Sequence, residues 1–336
     1  KMLYEGNHDI KVAFCSYTGK ASRVLDRKLK ESDALFSDNY IGTIHRLIYR
    51  PVIDSLGNIS GWEKIPSEEL QYSLIVVDEA SMVTEDIWND LLSFNIPILA
   101  VGDHGQLPPI SSTFNLMKDP QLKLEEIFRQ EQGNPIIKFS EIARKYGSLP
   151  FKQLDLNVSK VHREDVTTGD LLLDIFDSFD ENTMILCGYN NTRIKLNKQI
   201  RSLHFDSPNP QKGDRVICLK NNRTQGIYNG MTGTILDITK YNGYFDTEIS
   251  LDFEDEPFWG KISIDQFNSP TLIDRVNEDI NFFDFGYALT VHKAQGSQAK
   301  RVVVFEERFS KMDDETYARW LYTAVTRAEQ QLLIVA

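Results

Sequence analysis

Leu74-Ile75-Val76-Val77, running into Asp78-Glu79-Ala80-Ser81-Met82, decides how this chain is read. Apolar residues without alternation predict a central parallel strand covered on both faces. Carboxylates at its C-terminal end stand where open α/β sheets bind ligands. There Asp78 can hold Mg²⁺ through water and Glu79 can orient an attacking water. Together they make the acidic half of a nucleotide triphosphatase site. A second string repeats the pattern: Ile98-Leu99-Ala100-Val101, then Gly102-Asp103, then Gln106-Leu107-Pro108-Pro109. Gln106 is placed to sense a phosphate. Asp-Glu after one strand is common; the two strings at this spacing are not.

The chain has 336 residues, enough for two or three domains with real cores. Hydrophobic content of 41% and charged content of 26% are ordinary for a soluble protein. No apolar run is long enough to span a membrane, and no secretory signal is visible. Cys15, Cys187 and Cys218 show neither metal-ligand nor paired spacing and read as small core residues, which fits a reducing, cytoplasmic setting. The formal net charge of −12 argues mildly against nucleic acid, although one local basic groove on an acidic body is enough to bind it.

Working outward, Ile10–Cys15 predicts a strand and Ser16-Tyr17-Thr18-Gly19-Lys20 the turn into a helix. That turn offers hydroxyl and backbone N–H groups to a phosphate, or is an ordinary strand-to-helix turn. Thr43 is placed to cap a helix starting at Ile44. Residues 49–65 predict a hairpin turning near Gly57-Asn58. Residues 147–180 resist assignment. Thr183–Gly188 predicts a further strand, followed by a helix ending near Arg201. Between 210 and 275 the composition shifts to short strands punctuated by Gly and Asn, the mark of a small β-barrel inserted in an α/β domain. The α/β pattern resumes at Phe285–Thr290 and closes with a helix near 313–328 and a strand at Gln331–Val335.

Two more strings lie in the last third. Tyr287-Ala-Leu-Thr290-Val-His292-Lys293-Ala-Gln295-Gly296-Ser297-Gln298 gathers hydroxyl, imidazole, ammonium and amide groups in one strand-to-helix turn. It can face a nucleic-acid backbone on one side and a nucleotide phosphate on the other. Trp320–Ala328 is a helix whose single Arg327 sits among small and apolar residues. A buried Arg needs an anionic partner, either in a structural salt bridge or as a finger on a γ-phosphate.

In order, these strings resemble the motifs of superfamily 1 helicases of the 5′-to-3′ branch, the RecD-like and Dda-like DNA helicases. Thr18-Gly19-Lys20-Ala21 resembles motif Ia, and Thr43-Ile44-His45 a following DNA-contacting motif. Asp78–Met82 resembles motif II, and Gly102-Asp103 with Gln106-Leu107-Pro108 motif III. Phe128-Arg129-Gln130 resembles motif IV, Thr290–Gln298 motif V, and Val325-Thr326-Arg327-Ala328 motif VI.

The resemblance implies an α/β fold of two RecA-like motor domains. The first, 1–132, is incomplete at its N-terminus and carries a pin-like hairpin at 49–65. The second comprises 133–205 and 280–336, with an SH3-like β-barrel inserted at 206–279. It also implies roles. Asp78 would serve Mg²⁺, Glu79 would activate water, and Gln106 would sense the γ-phosphate of ATP. Arg129 and Arg327 would reach the phosphates, and Gly296 and Gln298 would lie at the nucleotide. Related RecD-like chains often carry Glu where Gln298 stands. Thr18, Thr43, His45, Thr290 and His292 would touch single-stranded DNA, with duplex junctions as the further substrate.

One departure stands out. The family needs a Gly-rich phosphate loop ending in Gly-Lys-Thr/Ser, and this sequence has none. Gly19-Lys20-Ala21 lacks both the glycine spacing and the Mg²⁺-binding hydroxyl. Lys1–Gly6 looks like the tail of the helix that follows such a loop, so a piece carrying the loop is expected to be absent, and the chain is expected to be inactive alone. Two other readings stay open: a catalytically silent nucleic-acid-binding module, and an RNA helicase of the same superfamily.

Overall fold

Val12–Ser16 forms the first strand, β1, and Thr18 then caps helix α1, Gly19–Glu31, by accepting the Ala21 amide. This is a computed structural model, and it describes residues 10–53, 59–109, 114–124, 134–222, 225–252, 254, 256–273 and 280–336. The chain divides into two units, Lys1–Lys123 and Leu124–Ala336.

In the first unit, β2 (Tyr40–Thr43) leads into the single helical turn α2 (Ile44–Ile48), capped by the Thr43 hydroxyl as its sequence predicts. Strands β3 (Tyr49–Ile53) and β4 (Ile59–Lys64) form an antiparallel hairpin. Arg50 on β3 bridges Glu63 and Glu69, and Trp62 lies opposite Pro51, partly exposed. The hairpin tip, with Leu56, falls outside the described residues. Strand β5 (Leu74–Asp78), helix α3 (Glu85–Leu92) and β6 (Ile98–Ala100) follow. The sheet is parallel, in the order β2-β1-β5-β6.

One face of this sheet is closed: Ala13, Cys15, Ile75 and Val77 are fully buried with Ile44, Ile48, Val83 and Leu91. The other face differs from the expectation of cover on both sides. Phe14, Val76 and Leu99 stand in one register row across three strands, Phe14 and Val76 are only partly buried, and Leu99 is 49% exposed. The alternation of buried and half-buried residues along β5 shows why: among the described residues, layers pack closely on one side alone.

In the second unit, α4 (Pro135–Tyr146) starts at an Asn134 cap and stops at Gly147, whose φ of 61° suits a residue without Cβ. The stretch that resisted assignment holds β7 (Val158–Val161) and α5 (Val166–Asp177). Next come β8 (Thr183–Cys187), buried at every position, and α6 (Asn190–His204). Strands β9 (Arg215–Cys218), β10 (Thr232–Lys240), β11 (Tyr244–Leu251), β12 (Phe258–Ser263), β13 (Ile280–Asn281) and β14 (Phe283–Phe285) make a second sheet. The chain then completes the first with β15 (Ala288–Thr290), β16 (Ala299–Phe305), α7 (Asp314–Val325) and β17 (Ala328–Val335).

The parallel sheet runs β15-β8-β16-β17-β7, with Ile185, Cys187, Val303 and Val335 in its core. The inserted sheet runs β13-β12-β11-β10-β9-β14 around its own core of Val216, Ile235, Phe245, Ile249, Phe258 and Phe283. Its pairings are antiparallel except β12 with β13, and among the described residues they do not close into a ring. The α/β pattern resumes later than the sequence suggests. Phe283, Asp284 and Phe285 pair with Cys218, Ile217 and Val216, so β14 belongs to the inserted sheet and the parallel sheet resumes only at Ala288. Gly286 makes the turn between them possible, because a Cβ there would meet the Val216 carbonyl carbon at 2.7 Å.

Helix α6 fastens the two sheets. Arg193, Asn197 and Arg201 are buried along one stripe of it. Arg193 pairs with Asp284 at 2.8 Å, and Asn197 bonds both the N–H and the C=O of Ala288. Arg201 grips Asp214 through two nitrogens and donates to the carbonyls of Ser207 and Asn209, while the Tyr287 hydroxyl donates to Asp214 at 2.7 Å.

Candidate functional site

The C-terminal edge of the first unit's sheet carries a row of polar residues. Thr43, Ser16 and Asp78 are register partners across β2, β1 and β5. Asp78 Oδ1 accepts the Glu79 amide at 2.9 Å. Glu79 itself sits at φ 53°, ψ 43°, the left-handed region that a non-glycine residue enters at a cost of ~1–3 kcal/mol. Three backbone bonds hold it there: Ala80 N–H to the Val101 carbonyl, Met82 N–H to that of Glu79, and Val101 N–H to that of Val77. Gly102 lets the β6 end come this close, since a Cβ would meet the Ser81 nitrogen at 3.0 Å, the Ala80 nitrogen at 3.1 Å and Met117 Sδ at 2.9 Å.

The strained turn thus presents two adjacent carboxylates at a strand end. The hydroxyls of Ser16 and Ser81 are buried beside it without a hydrogen-bond partner. Buried polar atoms are rarely left so unless a ligand or water completes them. Gln106 is buried on the loop after β6, where its amide donates to the Asp103 carbonyl and Asp103 Oδ1 accepts the Gly105 amide. Among the described residues no cluster of three or more His, Cys, Asp or Glu side chains could hold a metal alone. With Oδ1 engaged, Asp78 still offers Oδ2, a donor set that fits a hydrated cation completed by phosphate oxygens and water.

The other first-unit residues singled out by sequence serve local structure as well. The Thr18 and Thr43 hydroxyls cap α1 and α2, and Tyr40 donates to the Thr43 carbonyl. His45 lies between the rings of Tyr17 and Tyr49, at 6.4 and 5.4 Å between centroids.

In the second unit, Thr290 ends β15 and its carbonyl accepts the amides of Lys293 and Ala294, folding the chain into a turn that holds His292, Gln295 and Gly296. Gly296 takes a φ of 77°. Burial depresses the His292 pKa below its ordinary value, which favours the neutral imidazole at pH 7. This turn is tied to the end of α7. Arg327, 2% exposed, donates to the carbonyls of Thr323 and Ser297 and to the Thr326 hydroxyl. Gln298 Nε2 approaches the Thr326 carbonyl at 3.5 Å, and the Ala299 amide donates to the Arg327 carbonyl at 3.0 Å. The structure therefore brings Gly296, Gln298 and Arg327 together within the second unit. Arg129, with its neighbours Phe128 and Gln130, lies outside the described residues, as does Lys1–Asp9.

Sequence reasoning missed the α6 stripe and the strain at Glu79. The spacing of Arg193, Asn197 and Arg201 was the available signal for the first, but such a row usually marks a solvated face. Nothing local announces the second.

Comparison with known proteins adds the following. Residues 1–112 match the AAA domain family and residues 285–335 the UvrD-like helicase C-terminal domain family. The chain is 26% identical over 345 residues to the ATP-dependent RecD2 DNA helicase of Deinococcus radiodurans, covering 96% of this chain and 42% of that protein. It is 25% identical to the RecBCD enzyme subunit RecD of Buchnera aphidicola subsp. Schizaphis graminum, covering 99% of this chain and 66% of that one. The fold is similar to that of a Pif1 helicase from Bacteroides solved with ADP-AlF3 and ssDNA, with a TM-score of 0.56, 17% identity, and coverage of 99% and 90% of the two chains. The chain spans 42% and 66% of the length of these two curated relatives, less than two thirds of either.

Proposed function

Given that this chain is related to the superfamily 1 RecD- and Pif1-like helicases, we propose that the protein is an ATP-driven DNA helicase that moves 5′-to-3′ on single-stranded DNA and opens duplex junctions. The observation that carries the reading is the Asp78-Glu79 turn, held in a left-handed conformation against the end of β6 and flanked by the unpartnered hydroxyls of Ser16 and Ser81. A silent binding module has no use for that strain.

In this reading Asp78 would hold the hydrated Mg²⁺ that accompanies ATP, and the ion would supply charge neutralisation. Glu79 orients the attacking water, Gln106 reads the γ-phosphate, and Arg327 and Arg129 stabilise charge on the transferring phosphoryl group. Gly296 and Gln298 lie at the nucleotide. Thr18, Thr43, His45, Thr290 and His292 bind single-stranded DNA; the Thr18 and Thr43 hydroxyls accept helix amides and so still have an O–H to donate to a phosphate. The two parallel sheets are the RecA-like motor domains, 1–132 and 133–205 with the chain from Ala288 onward. The inserted sheet, bounded by composition at 206–279 and carried on by β13 and β14 to Phe285, is the SH3-like element, and the hairpin at 49–65 is the pin. Work on DNA would place the protein in the cytoplasm; among the described residues no helix is long and apolar enough to cross a membrane.

The test is ATP hydrolysis by the full-length protein with and without oligo-dT, followed by strand separation of forked duplexes carrying a single 5′ or 3′ tail. DNA-stimulated turnover and unwinding from the 5′ tail are expected. Binding to DNA without turnover would favour the silent module, and stimulation by RNA alone the RNA helicase.

A further inference from the structure

Asn229 stands on the connection between β9 and β10. Its amide donates to Asn221 Oδ1 at 2.7 Å, and the next residue, Gly230, takes a φ of 91° and donates its own amide to the Cys218 carbonyl at 2.8 Å. The side chain is thus presented from a backbone held on both sides. Its Oδ1 accepts a hydrogen bond of 2.6 Å from Lys293 Nζ, 64 residues further along the chain. An ammonium only donates, so the amide oxygen must be the atom that faces it.

Lys293 is partly buried in the turn after β15, next to His292. Among the described residues no carboxylate pairs with it. Burial disfavours its charged form, and the Arg193 guanidinium adds a like charge. A cation removed from water and given only a neutral acceptor is poorly compensated, and an incoming anion would complete it. A carboxylate at position 229 would have filled that need. An amide instead fixes the direction of the ammonium and leaves its charge available.

We propose that Asn229 is a positioning residue that aims the Lys293 ammonium at a backbone phosphate of single-stranded nucleic acid, which makes the inserted sheet part of the strand-binding machinery. The proposal rests on the nucleic-acid reading given above.

The test is oligo-dT binding by fluorescence anisotropy across a salt titration, with thermal melts, for the wild-type protein and for Lys293→Ala, Asn229→Asp and Asn229→Ala. Loss of one phosphate contact on a single strand lowers the slope of log affinity against log salt by about 0.7. Lys293→Ala should show that loss. Asn229→Asp should show it too, although the lysine is still present and the melting temperature is unchanged or raised. Asn229→Ala should weaken binding less. If Asn229→Asp melts at or above the wild-type temperature and binds with wild-type affinity and slope, the pair is structural and the proposal is overturned. A loss confined to Lys293→Ala likewise overturns the role of Asn229. Should Asn229→Asp fail to fold, Asn229→Ala decides alone: wild-type binding refutes the role. A wild-type protein that does not bind oligo-dT fails the nucleic-acid reading itself, and the proposal falls with it.

Discussion

The Ser297 carbonyl accepts a hydrogen bond from Arg327 Nη1 at 3.2 Å, joining the turn before β16 to the end of α7. The guanidinium is therefore bound to protein carbonyls before any nucleotide arrives. In the proposed role of a finger, an arginine so fixed would have little side-chain entropy left to lose when charge develops on a phosphate.

Arg327→Ala in the full-length protein is expected to lower ATP turnover by ~10³-fold or more if the guanidinium acts on the transferring group. Arg327→Lys keeps the charge but loses the fork, and should also be impaired. A folded Arg327→Ala protein with near-normal ATPase rates would remove Arg327 from catalysis.

Gly102→Ala should destabilise the first unit by ~1–3 kcal/mol, because the new methyl group meets backbone at Ala80 and Ser81 as well as the movable Met117 sulfur. The shift would also disturb the Glu79 turn. Urea unfolding should therefore show the stability loss, and ATPase assays under folded conditions should show a rate loss beyond the unfolded fraction.

A protein of these 336 residues is expected to bind ATP feebly and not to turn it over, since its sequence has no Gly-rich loop to donate backbone N–H groups and a lysine to the phosphates. Isothermal calorimetry with ATP and Mg²⁺ checks this. Robust Mg²⁺-dependent hydrolysis would mean that another element binds the phosphates.

The hairpin β3–β4 is expected to act as a wedge. Replacing residues 54–58 with a short glycine turn in the full-length protein should abolish unwinding while leaving DNA-stimulated ATPase and translocation intact. The replacement removes Leu56, the apolar residue of the tip, which would pack on the last base pair; side-chain stacking on a base is worth ~1–3 kcal/mol for an aromatic ring. Loss of all three activities together would show that the hairpin is structural.

Burial pushes the thiols of Cys15, Cys187 and Cys218 up to about 12. At pH 8 each is thiolate in only about one molecule in 10⁴, and the thiolate is the reactive form. A disulfide reagent should therefore leave all three untouched in the native protein and titrate them on unfolding. Prompt reaction of any of them in the native state would contradict its burial.

What could be read from sequence was what is local. Thr43 was legible as a cap because Ser/Thr hydroxyls satisfy free helical amides, and the hairpin because Gly57-Asn58 separates two strand-like runs. Asp78 and Glu79 were legible because the string that ends in them is followed, about twenty residues on, by a second of the same pattern ending in Gly102-Asp103. Helix α5 was not, since Gly169 interrupts it and Leu173 faces water, which blurs its periodicity. The end of the inserted sheet was hidden too: Phe283 and Phe285 look alike whether they pair with β9 or with the parallel sheet. Nothing local marks Arg193 and Arg201 as buried, because the aspartates that pair with them lie elsewhere in the chain.

The α6 stripe has a mechanical consequence. Asp214 and Asp284, at the entry and exit of the inserted sheet, are anchored to one helix, with Ala288 held between them. The three attachments lie on successive turns of that helix, so the inserted sheet cannot shift against α6 without disturbing all of them at once.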